Sequence, residues 1–507
     1  MVVKCNSLGL FGLKSYAVEI EADLSRGVPA FDIVGLPDTA VKESRDRVRI
    51  AMKNCGFEFP TSRLILNLAP ADIKKEGPLY DLPILIAILK AARYITANTD
   101  DSAFIGEVAL SGDVRPINGV LPMAICAKEL GIKKLYVPAH NANEGAVVKG
   151  IEIYPVENIF RLIDHLAGRN PIEKAVFSQG AASELSPLDF SQVKGQAEAK
   201  RALEIAAAGG HNVLLIGSPG AGKSMLAKRM TGILPSMTFD ETIETTKIHS
   251  IAGTLRKGEG LITQRPFRSP HHTITKVGLS GGGTNPKPGE ISLAHNGILF
   301  LDELPEFNRS TLEVLRQPIE DGTVSIARAA GNFTYPARFM MIAAMNPCPC
   351  GFYNHPKKEC SCNDAAVRRY LGKVSGPLLD RIDIHIEVPP VEYDDLRDHT
   401  KEETSAQIKE RVDKARRIQL ERYKGTSVFC NADIDASLFD QVCVMDDRAN
   451  ALLKKAFDRL NLTARAYDRI MKVARTIADL DGSEIISAPH ISEAVQYRAL
   501  DRKYWNR

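Results

Sequence analysis

The sequence predicts an α/β protein with a nucleotide-binding central region and a helical C-terminal region. The central prediction depends on two apolar runs. One leads through a glycine-rich loop into a helix-like segment, and the other, about 80 residues further on, ends in two acids. Beyond the double proline at 389–390, apolar residues recur at helical spacing in 403–423 and 447–480, which predicts an all-helical lid.

Length and composition narrow the class of protein. A chain of 507 residues is too long for one core and should form about two to four domains. The formal net charge of +3 provides no general basic field, so DNA binding would depend on local clusters. The longest apolar runs, such as 85–89, are too short to cross a bilayer, so no membrane partner is expected.

The expected location is the cytoplasm. Lys14, Glu19 and Glu21 interrupt the apolar pattern near the N-terminus, so a signal peptide is not expected. The chain has nine cysteines, an odd number, which together with the missing export signal favours a reducing compartment.

Composition also indicates the domain boundaries. The segment 168–171 and the polar, small-residue stretch 178–184 are typical of a linker. The predicted parts are an N-terminal domain at 1–168, a linker at 169–190, a nucleotide-binding core at 191–390 and a helical lid at 391–507.

The glycine-rich loop is a complete P-loop. Its residues, all candidate nucleotide contacts, are Gly217, Ser218, Pro219, Gly220, Ala221, Gly222, Lys223 and Ser224. Backbone N–H groups of such a loop surround a phosphate chain, whose charge the following helix N-terminus also favours. Lys223 is expected to contact the β- and γ-phosphates of ATP or GTP, and Ser224 to ligate Mg²⁺. A glycine turn that binds nothing is the alternative, which the flanking strand and helix disfavour.

The second apolar run, 297–301, has the Walker B arrangement. Asp302 is predicted to hold Mg²⁺ and Glu303 to polarise the attacking water. An apolar run before Asp-Glu is common and often purely structural. Its pairing with a P-loop upstream favours the catalytic interpretation.

Five segments carry a family resemblance. Residues 265–272, 288–297 and 301–307 look like the Mg-chelatase-like AAA+ ATPases of bacteria, and 344–351 with 375–383 point more narrowly to the ComM/YifB type. The resemblance covers nearly the whole chain. It implies an αβα ATPase core that uses ATP, assembles as a hexameric ring, threads single-stranded or branched DNA, and drives branch migration during uptake and recombination of foreign DNA.

The resemblance also implies roles for two residues near the nucleotide. Asn346 resembles sensor 1, an amide that orients the lytic water, although a turn asparagine is the alternative. Arg381 resembles the arginine finger that a neighbouring subunit inserts to stabilise phosphoryl charge. A surface ion pair with Asp380 or Asp383 is the other interpretation of Arg381.

On the lid, Arg465 resembles sensor 2, a residue that contacts nucleotide from the helical domain. Arg469 and Arg475 lie nearby in the sequence. A solvated helix arginine is therefore the alternative role for Arg465.

Two insertions are candidates for a DNA-lined pore. The first is the Gly-rich loop 278–288, where the resemblance places the helix-2 insert; its basic upstream flank consists of Arg265, Arg268, His271, His272 and Lys276. The second insertion, 323–336, alternates apolar and polar residues and turns at 328–331, which predicts a β-hairpin. Its position just before the sensor 1 strand matches that of a presensor hairpin. Arg328 is the first candidate for a DNA backbone contact and Lys276 the second, with a plain surface hairpin as the alternative.

Four cysteines lie within one short window. They are Cys348, Cys350, Cys360 and Cys362, with His355 as a spare candidate ligand. In a reducing compartment this clustering favours tetrahedral Zn²⁺ over disulfides. The spacing is C-x-C instead of the commoner C-x₂-C, so unliganded or redox-active thiols are the alternative.

The N-terminal region resembles the α+β proteolytic domain of Lon proteases in 64–78 and 110–120. That domain needs a serine directly after Gly-Pro and a lysine soon after Gly-Val. Here the positions hold Leu79 and Leu121, which supply neither nucleophile nor base. The domain is therefore predicted to be a non-proteolytic scaffold or a DNA-interacting module.

The function that the sequence favours is an ATP-hydrolysing DNA motor. A magnesium-chelatase-type motor subunit, which uses a similar core to load metal into a porphyrin, is the second hypothesis. A Lon-like protease or an inert adaptor is the third. The Lon-like domain and the cysteine cluster argue against the chelatase, and the two leucines argue against the protease.

Overall fold

The computed structural model describes residues 2–178, 188–283, 286–328, 331–391, 402–460 and 462–505. The chain forms two compact units. Unit 1 comprises Met1–Ala182 and Phe239–Ile262, and unit 2 comprises Ser183–Thr238 and Thr263–Arg507. The division after Ala182 falls within the range predicted as linker, of which 179–187 lie outside the described residues.

Unit 1 is built on a mixed seven-stranded sheet. In spatial order its strands are Ala30–Val34, Arg63–Ala69, Lys14–Ser25, Val3–Phe11, Ser102–Phe104, Lys134–Pro138 and Glu152–Val156. The second, third and fourth strands are antiparallel neighbours, and the remaining pairs are parallel. Strand Arg63–Ala69 buries every second residue, as expected for a strand that covers a core with one face.

The main helices of unit 1 are Thr39–Asn54, Asp81–Ala91, Val120–Glu129, Ile159–Leu166 and Phe239–Ala252, with the short Ala142–Gly145. Helix Asp81–Ala91 is buried from Asp81 to Leu89 and contacts the strands Val3–Phe11 and Lys14–Ser25. A helix that is apolar on all sides belongs in a core, which explains its long apolar run.

Residues 239–262 lie within the range predicted as ATPase core, yet they belong to unit 1. The buried carboxylate of Glu144 links this segment to the unit. It accepts hydrogen bonds from the Ser250 hydroxyl and from the backbone N–H of Leu121, the latter at 2.8 Å. Burial raises the pKa of Glu144, and these hydrogen bonds oppose that rise.

Unit 2 contains a five-stranded parallel sheet. Its strands, in spatial order, are Phe267–Arg268, Ile298–Leu301, Met340–Met345, Val213–Ile216 and Ile384–Glu387. All neighbouring pairs are parallel. Strands of a parallel sheet are buried on both faces, which accounts for the continuous apolar runs in the sequence.

The helices around this sheet include Ala197–Gly209, Lys223–Arg229, Glu290–Leu293, Arg309–Leu312, Arg316–Asp321, Asp364–Leu371 and Gly376–Leu379. The C-terminal part of unit 2 is helical, as predicted. Its helices are Ser405–Arg422, Ala436–Val442, Asp447–Leu460, Ala464–Leu480, Ala488–Gln496 and Ala499–Trp505. The stretch 447–480, predicted from one continuous pattern, is thus two helices, and Thr463 caps the second. No helix among the described residues is long and apolar enough to span a bilayer.

Two hairpins project from unit 2. Strands Thr323–Arg328 and Gly331–Pro336 pair antiparallel, so the predicted hairpin is present, with its tip at 329–330 outside the described residues. Helix Lys276–Ser280 and the short antiparallel pair Gly281–Gly282 and Lys287–Pro288 form the Gly-rich insertion. Residues 284–285 of that insertion also lie outside the described residues.

Candidate functional site

The P-loop joins a wholly buried strand, Val213–Ile216, to helix Lys223–Arg229. Gly220 and Gly222 have φ angles of +80° and +89°. These left-handed conformations strain residues with a Cβ, so the loop needs glycine at both positions. The resulting path brings the loop backbone around the start of the helix, the arrangement that binds phosphate.

Parallel pairing brings the predicted catalytic residues to one edge of the sheet. Ile216 pairs with Met345, and Leu301 pairs with Ala343. The P-loop, the Walker B acids and Asn346 therefore all follow strand ends at the same edge. A cavity of about 400 Å³ opens there, lined by Pro219, Gly220, Gly222, Lys223, Ser224, Met225, Asp302, Glu303, Met345 and Asn346.

Lys223 is buried and points into the loop. Its Nζ donates to the carbonyls of Gly217 at 2.7 Å and Ser218 at 3.0 Å, and to Oδ1 of Asn346 at 3.1 Å. Burial lowers the pKa of Lys223, while the negative charge of Asp302 opposes that effect. The ammonium group is thus held between the P-loop and the candidate sensor asparagine, where phosphate oxygens can replace the carbonyls.

The two predicted magnesium ligands are adjacent. The Ser224 hydroxyl donates to Oδ2 of Asp302 at 2.6 Å. Oxygen ligands of this kind suit Mg²⁺, which is held by one or two protein groups together with substrate phosphates and water. Glu303 has a φ of +51°, and its side chain is 60% exposed, with Oε2 lying 3.5 Å from Nδ1 of His272. A left-handed glutamate beside a nucleotide cavity is a strained conformation that the surrounding fold maintains.

Arg381 lies elsewhere in unit 2 and is engaged within its own chain. Only 6% of its surface is exposed, and its guanidinium donates to the Glu320 carboxylate and, at 2.7 Å, to the carbonyl of Pro377. The acid that binds it is therefore neither Asp380 nor Asp383, the partners considered from sequence. Glu320 is an ion-pair partner that the sequence does not indicate, because it is 61 residues away in the chain.

The three arginines of the helical lid lie in different environments. Arg469 pairs with the buried Asp383 at 2.9 Å, and Arg475 is buried against Asp479. Burial disfavours the Asp383 carboxylate, but the Arg469 charge and hydrogen bonds from His211 and the backbone lower its pKa. Arg465, in the first turn of helix Ala464–Leu480, is exposed.

The two predicted pore insertions contact each other. Nε of Arg328 lies 3.4 Å from the carbonyl oxygen of Gly283, and the buried Tyr335 donates to the carbonyl of Pro286 at 2.6 Å. Arg328 and Lys276 are both exposed. The hairpin and the Gly-rich insertion thus form one surface instead of two separate ones.

Two arginines of the basic flank upstream of that surface form contacts within the fold. Arg268 forms an ion pair with Glu290 at 2.6 Å, and Arg265 donates to the carbonyls of Pro235 and Asn296. These two arginines are therefore engaged by neighbouring parts of unit 2.

The four clustered cysteines come together. The Sγ atoms of Cys348, Cys350, Cys360 and Cys362 all lie within 4.8 Å of one another. Measured Sγ–Sγ distances are 3.3 Å for Cys348–Cys350, 3.7 Å for Cys348–Cys360 and 3.5 Å for Cys350–Cys360. Tetrahedral Zn²⁺ with Zn–S bonds of about 2.3 Å places sulfurs about 3.8 Å apart, so the cluster has the dimensions of a zinc site.

His355 is not needed as a ligand. Its Nδ1 accepts from the backbone N–H groups of Lys357 and Lys358, each at 3.0 Å, which assigns it to a turn. Within the cysteine cluster, burial opposes ionisation of Cys350, but hydrogen bonds from the backbone of Phe352 and from Cys348 lower its pKa to about 5.

In unit 1, the positions compared with Lon proteases are part of the packing. Leu121 is fully buried at the start of helix Val120–Glu129, and Leu79 packs against the core. Leucine side chains thus occupy the two positions at which the Lon resemblance would require a nucleophile and a base.

Family models match three parts of the chain. Residues 189–396 match "Magnesium chelatase, subunit ChlI", residues 20–141 match "Subunit ChlI of Mg-chelatase", and residues 402–498 match the ChlI C-terminal model. Together they cover most of both units.

Individual proteins match over nearly the full length. The chain is 44% identical to Competence protein ComM of Haemophilus influenzae over 497 residues, covering 97% of this chain and 96% of that protein. It is also 44% identical to the YifB protein of Salmonella typhimurium over 497 residues, with the same coverage. A weaker similarity, 25% identity over 192 residues, links 34% of this chain to 34% of Lon protease 2 of Bacillus subtilis.

Proposed function

This chain belongs to the ComM/YifB family of Mg-chelatase-like AAA+ proteins, and we propose on that premise that it is an ATP-driven DNA motor. Its task would be branch migration during homologous recombination of incoming DNA in natural transformation. The name of the Haemophilus relative, a competence protein, supports the link to DNA uptake. The reducing cytoplasm is the compartment that suits both the task and the free thiols.

One observation carries the proposal: Lys223, Ser224, Asp302 and Asn346 surround a single cavity, joined by short hydrogen bonds. Bound ATP with Mg²⁺ supplies the phosphoanhydride that is hydrolysed. Lys223 would exchange its carbonyl partners for β- and γ-phosphate oxygens. Ser224 and Asp302 would hold the cation, Asn346 would orient the lytic water, and Glu303 would accept its proton.

The Glu303 carboxylate lines the same cavity as these residues. It lies beside His272 and is largely exposed. In the reactive state it would face the water next to the γ-phosphate.

Ring assembly would complete the site in trans. Arg381 from the next subunit would neutralise charge on the transferred phosphoryl group, and Arg465 would contact the nucleotide from the lid. Arg381 can do so only after leaving Glu320, since it is buried in the single chain. A hexamer, the ring size that the family resemblance implies, would place six such sites around one pore.

DNA would pass the surface formed by the hairpin and the Gly-rich insertion. Arg328 and Lys276 are two of its exposed cations. Single-stranded or branched DNA presents closely spaced phosphates, which such cations contact without reading sequence. The overall charge of +3 makes this local contact important.

We also propose that the cysteine cluster holds one structural Zn²⁺. The four sulfurs supply a closed tetrahedral donor set. A closed set leaves no open coordination position, so its role would be structural and not catalytic.

The test is the ATPase rate of the full chain with no DNA and with single-stranded, duplex and four-way-junction DNA. We expect stimulation, strongest with single-stranded or branched DNA, and no turnover by Lys223→Ala in any condition. Hydrolysis that no DNA stimulates would contradict the DNA motor and favour the magnesium-chelatase-type hypothesis. A peptidase assay on the full chain addresses the protease hypothesis, for which Leu79 and Leu121 supply no reactive group.

A further inference from the structure

The cysteine cluster lies directly beside the nucleotide site along the chain and in space. Asn346 directly follows the strand Met340–Met345, and Cys348, the first cysteine of the cluster, is buried two residues later. The backbone N–H of Gly351 donates to the carbonyl of Cys348 at 3.0 Å. This hydrogen bond closes a tight turn that contains the first two ligands, Cys348 and Cys350.

That turn packs against the P-loop itself. Gly351 has a φ of +84°, and a Cβ placed on it would lie 2.3 Å from Cδ and 2.6 Å from Cγ of Pro219. Real Cβ atoms do not approach other atoms so closely, so the contact requires glycine. Pro219 lines the nucleotide cavity, so the cysteine turn forms its outer support.

A second contact runs from the last ligand back to Asn346. Helix Asp364–Leu371 begins directly after Cys362, with Asn363 as its N-cap. Tyr370 of this helix, only 7% exposed, lies close to the backbone of Asn346. The first and the last ligand of the cluster thus lead to elements on either side of Asn346, whose Oδ1 accepts from Lys223.

We infer that the metal-bound cysteine cluster is a positioning device for the ATP site: it holds Gly351 against Pro219 and Asn346 against Lys223. The inference rests on the proposed ATP binding. With metal bound, the turn is rigid and the P-loop keeps the shape that accepts phosphate. Without metal, four free thiols no longer fix the turn, and affinity for ATP falls.

Gly351→Ala separates positioning from metal binding, because it leaves all four ligands in place and adds a methyl group against Pro219. The matched control is Gly425→Ala. Gly425 has nearly the same φ, +83°, but nothing lies within 4 Å of its added Cβ. Both variants carry the same backbone strain, and only the first presses on the P-loop.

The measurements are zinc content per chain and the Kd for a fluorescent ATP analogue in excess Mg²⁺. Gly351→Ala should retain zinc while its Kd rises about tenfold or more, and Gly425→Ala should match wild type. In the double variant Pro219→Ala/Gly351→Ala the nearest remaining atom, the nitrogen of residue 219, lies at an ordinary 3.7 Å. Its Kd should therefore return to that of Pro219→Ala alone.

Two results would overturn the inference: a zinc-loaded Gly351→Ala with a Kd within about twofold of wild type, or a zinc-free, folded Cys360→Ser with unchanged Kd. If Gly351→Ala does not fold, the Kd of Cys360→Ser compared with that of wild type tests the inference. Wild-type protein that binds no nucleotide would instead refute the proposed function, which keeps the two failures distinct.

Discussion

The guanidinium of Arg381 is held within its own chain by the carboxylate of Glu320. The two sides of this ion pair differ in environment, since the Arg381 side chain is 7% exposed and that of Glu320 is 49% exposed. Water reaches the acid but not the guanidinium, so the Arg381 charge depends on Glu320 for compensation while it stays buried in its own chain. If Arg381 is the arginine finger that we propose, this contact would withhold it until the nucleotide of a neighbouring subunit competes for it.

If Arg381 acts in trans, Arg381→Ala should lower kcat by about 10³-fold or more in assembled protein. Affinity for ATP in the same chain should be retained. Mixing it with Lys223→Ala should restore some turnover, because each variant contributes the half-site that the other lacks. A protein that stays monomeric with DNA present and hydrolyses ATP at full rate at every concentration would refute the ring.

Removing the negative charge of Glu320 should release Arg381 from its ion pair. Glu320→Gln keeps the size of the side chain but removes its charge, so we expect ATPase activity to appear at a protein concentration severalfold lower than in wild type. The control is Glu313→Gln, which breaks the nearby ion pair with Arg316 at 2.8 Å. Identical concentration dependence in Glu320→Gln and wild type would show that this contact does not restrain assembly.

The P-loop lysine and the Walker B glutamate should fail in different ways. Lys223→Ala should abolish nucleotide binding or turnover, whereas Glu303→Gln should bind ATP normally and lose about 10²- to 10⁴-fold in kcat. Titration of a fluorescent nucleotide and a steady-state ATPase assay separate these outcomes. Glu306→Gln, whose acid pairs with Lys373 at 3.3 Å, serves as the control. If Glu303→Gln hydrolysed ATP at the wild-type rate, Glu303 would not be the catalytic base.

The cysteine cluster should carry about one zinc per chain in untagged protein purified without chelators. Cys360→Ser/Cys362→Ser should lose the metal and lower the melting temperature, because metal-binding energy contributes to folding of the loop. Cys126→Ser, a cysteine of unit 1, should keep the full zinc content. Elemental analysis that finds no metal in wild-type protein would contradict the site.

Arg328 should matter for DNA and not for nucleotide. Arg328→Ala should keep its ATP affinity but reduce DNA-stimulated turnover and movement of a labelled four-way junction. Losing one phosphate contact lowers the slope of log affinity against log salt by about 0.9 per chain, so six chains amplify the effect. Arg459→Ala, an exposed lid arginine, is the control. Unchanged branch migration at two salt concentrations would shift attention to Lys276.

The sequence predicted the parts of the site that follow buried parallel strands. Strand ends in a parallel sheet share an edge, so the P-loop, Asp302 and Asn346 could be placed together from apolar runs alone. The pairs Arg381–Glu320 and Gly351–Pro219 could not be predicted, because they join loops and short helices far apart in sequence. No periodicity marks such contacts.

Packing of the polar insertions was also hidden from the sequence. The sequence presents the hairpin and the Gly-rich loop as two separate insertions, because nothing in the local sequence shows that Tyr335 contacts Pro286. Helix Phe239–Ala252 joins unit 1 through Ser250 and Glu144, two ordinary polar residues in separate parts of the chain. Tertiary context, not local propensity, decides where such a helix packs.

The discontinuity of unit 1 sets an order for biosynthesis. The ribosome must pass residue 262 before the segment Phe239–Ile262 is available to complete that unit. Until then a nascent chain has Glu144 without the Ser250 hydroxyl. The P-loop is already made at this stage, but the Walker B and sensor strands are not. Unit 1 can therefore reach its final core while the parallel sheet of unit 2 is still incomplete, so the growing chain carries a complete unit 1 before it has a complete ATP site.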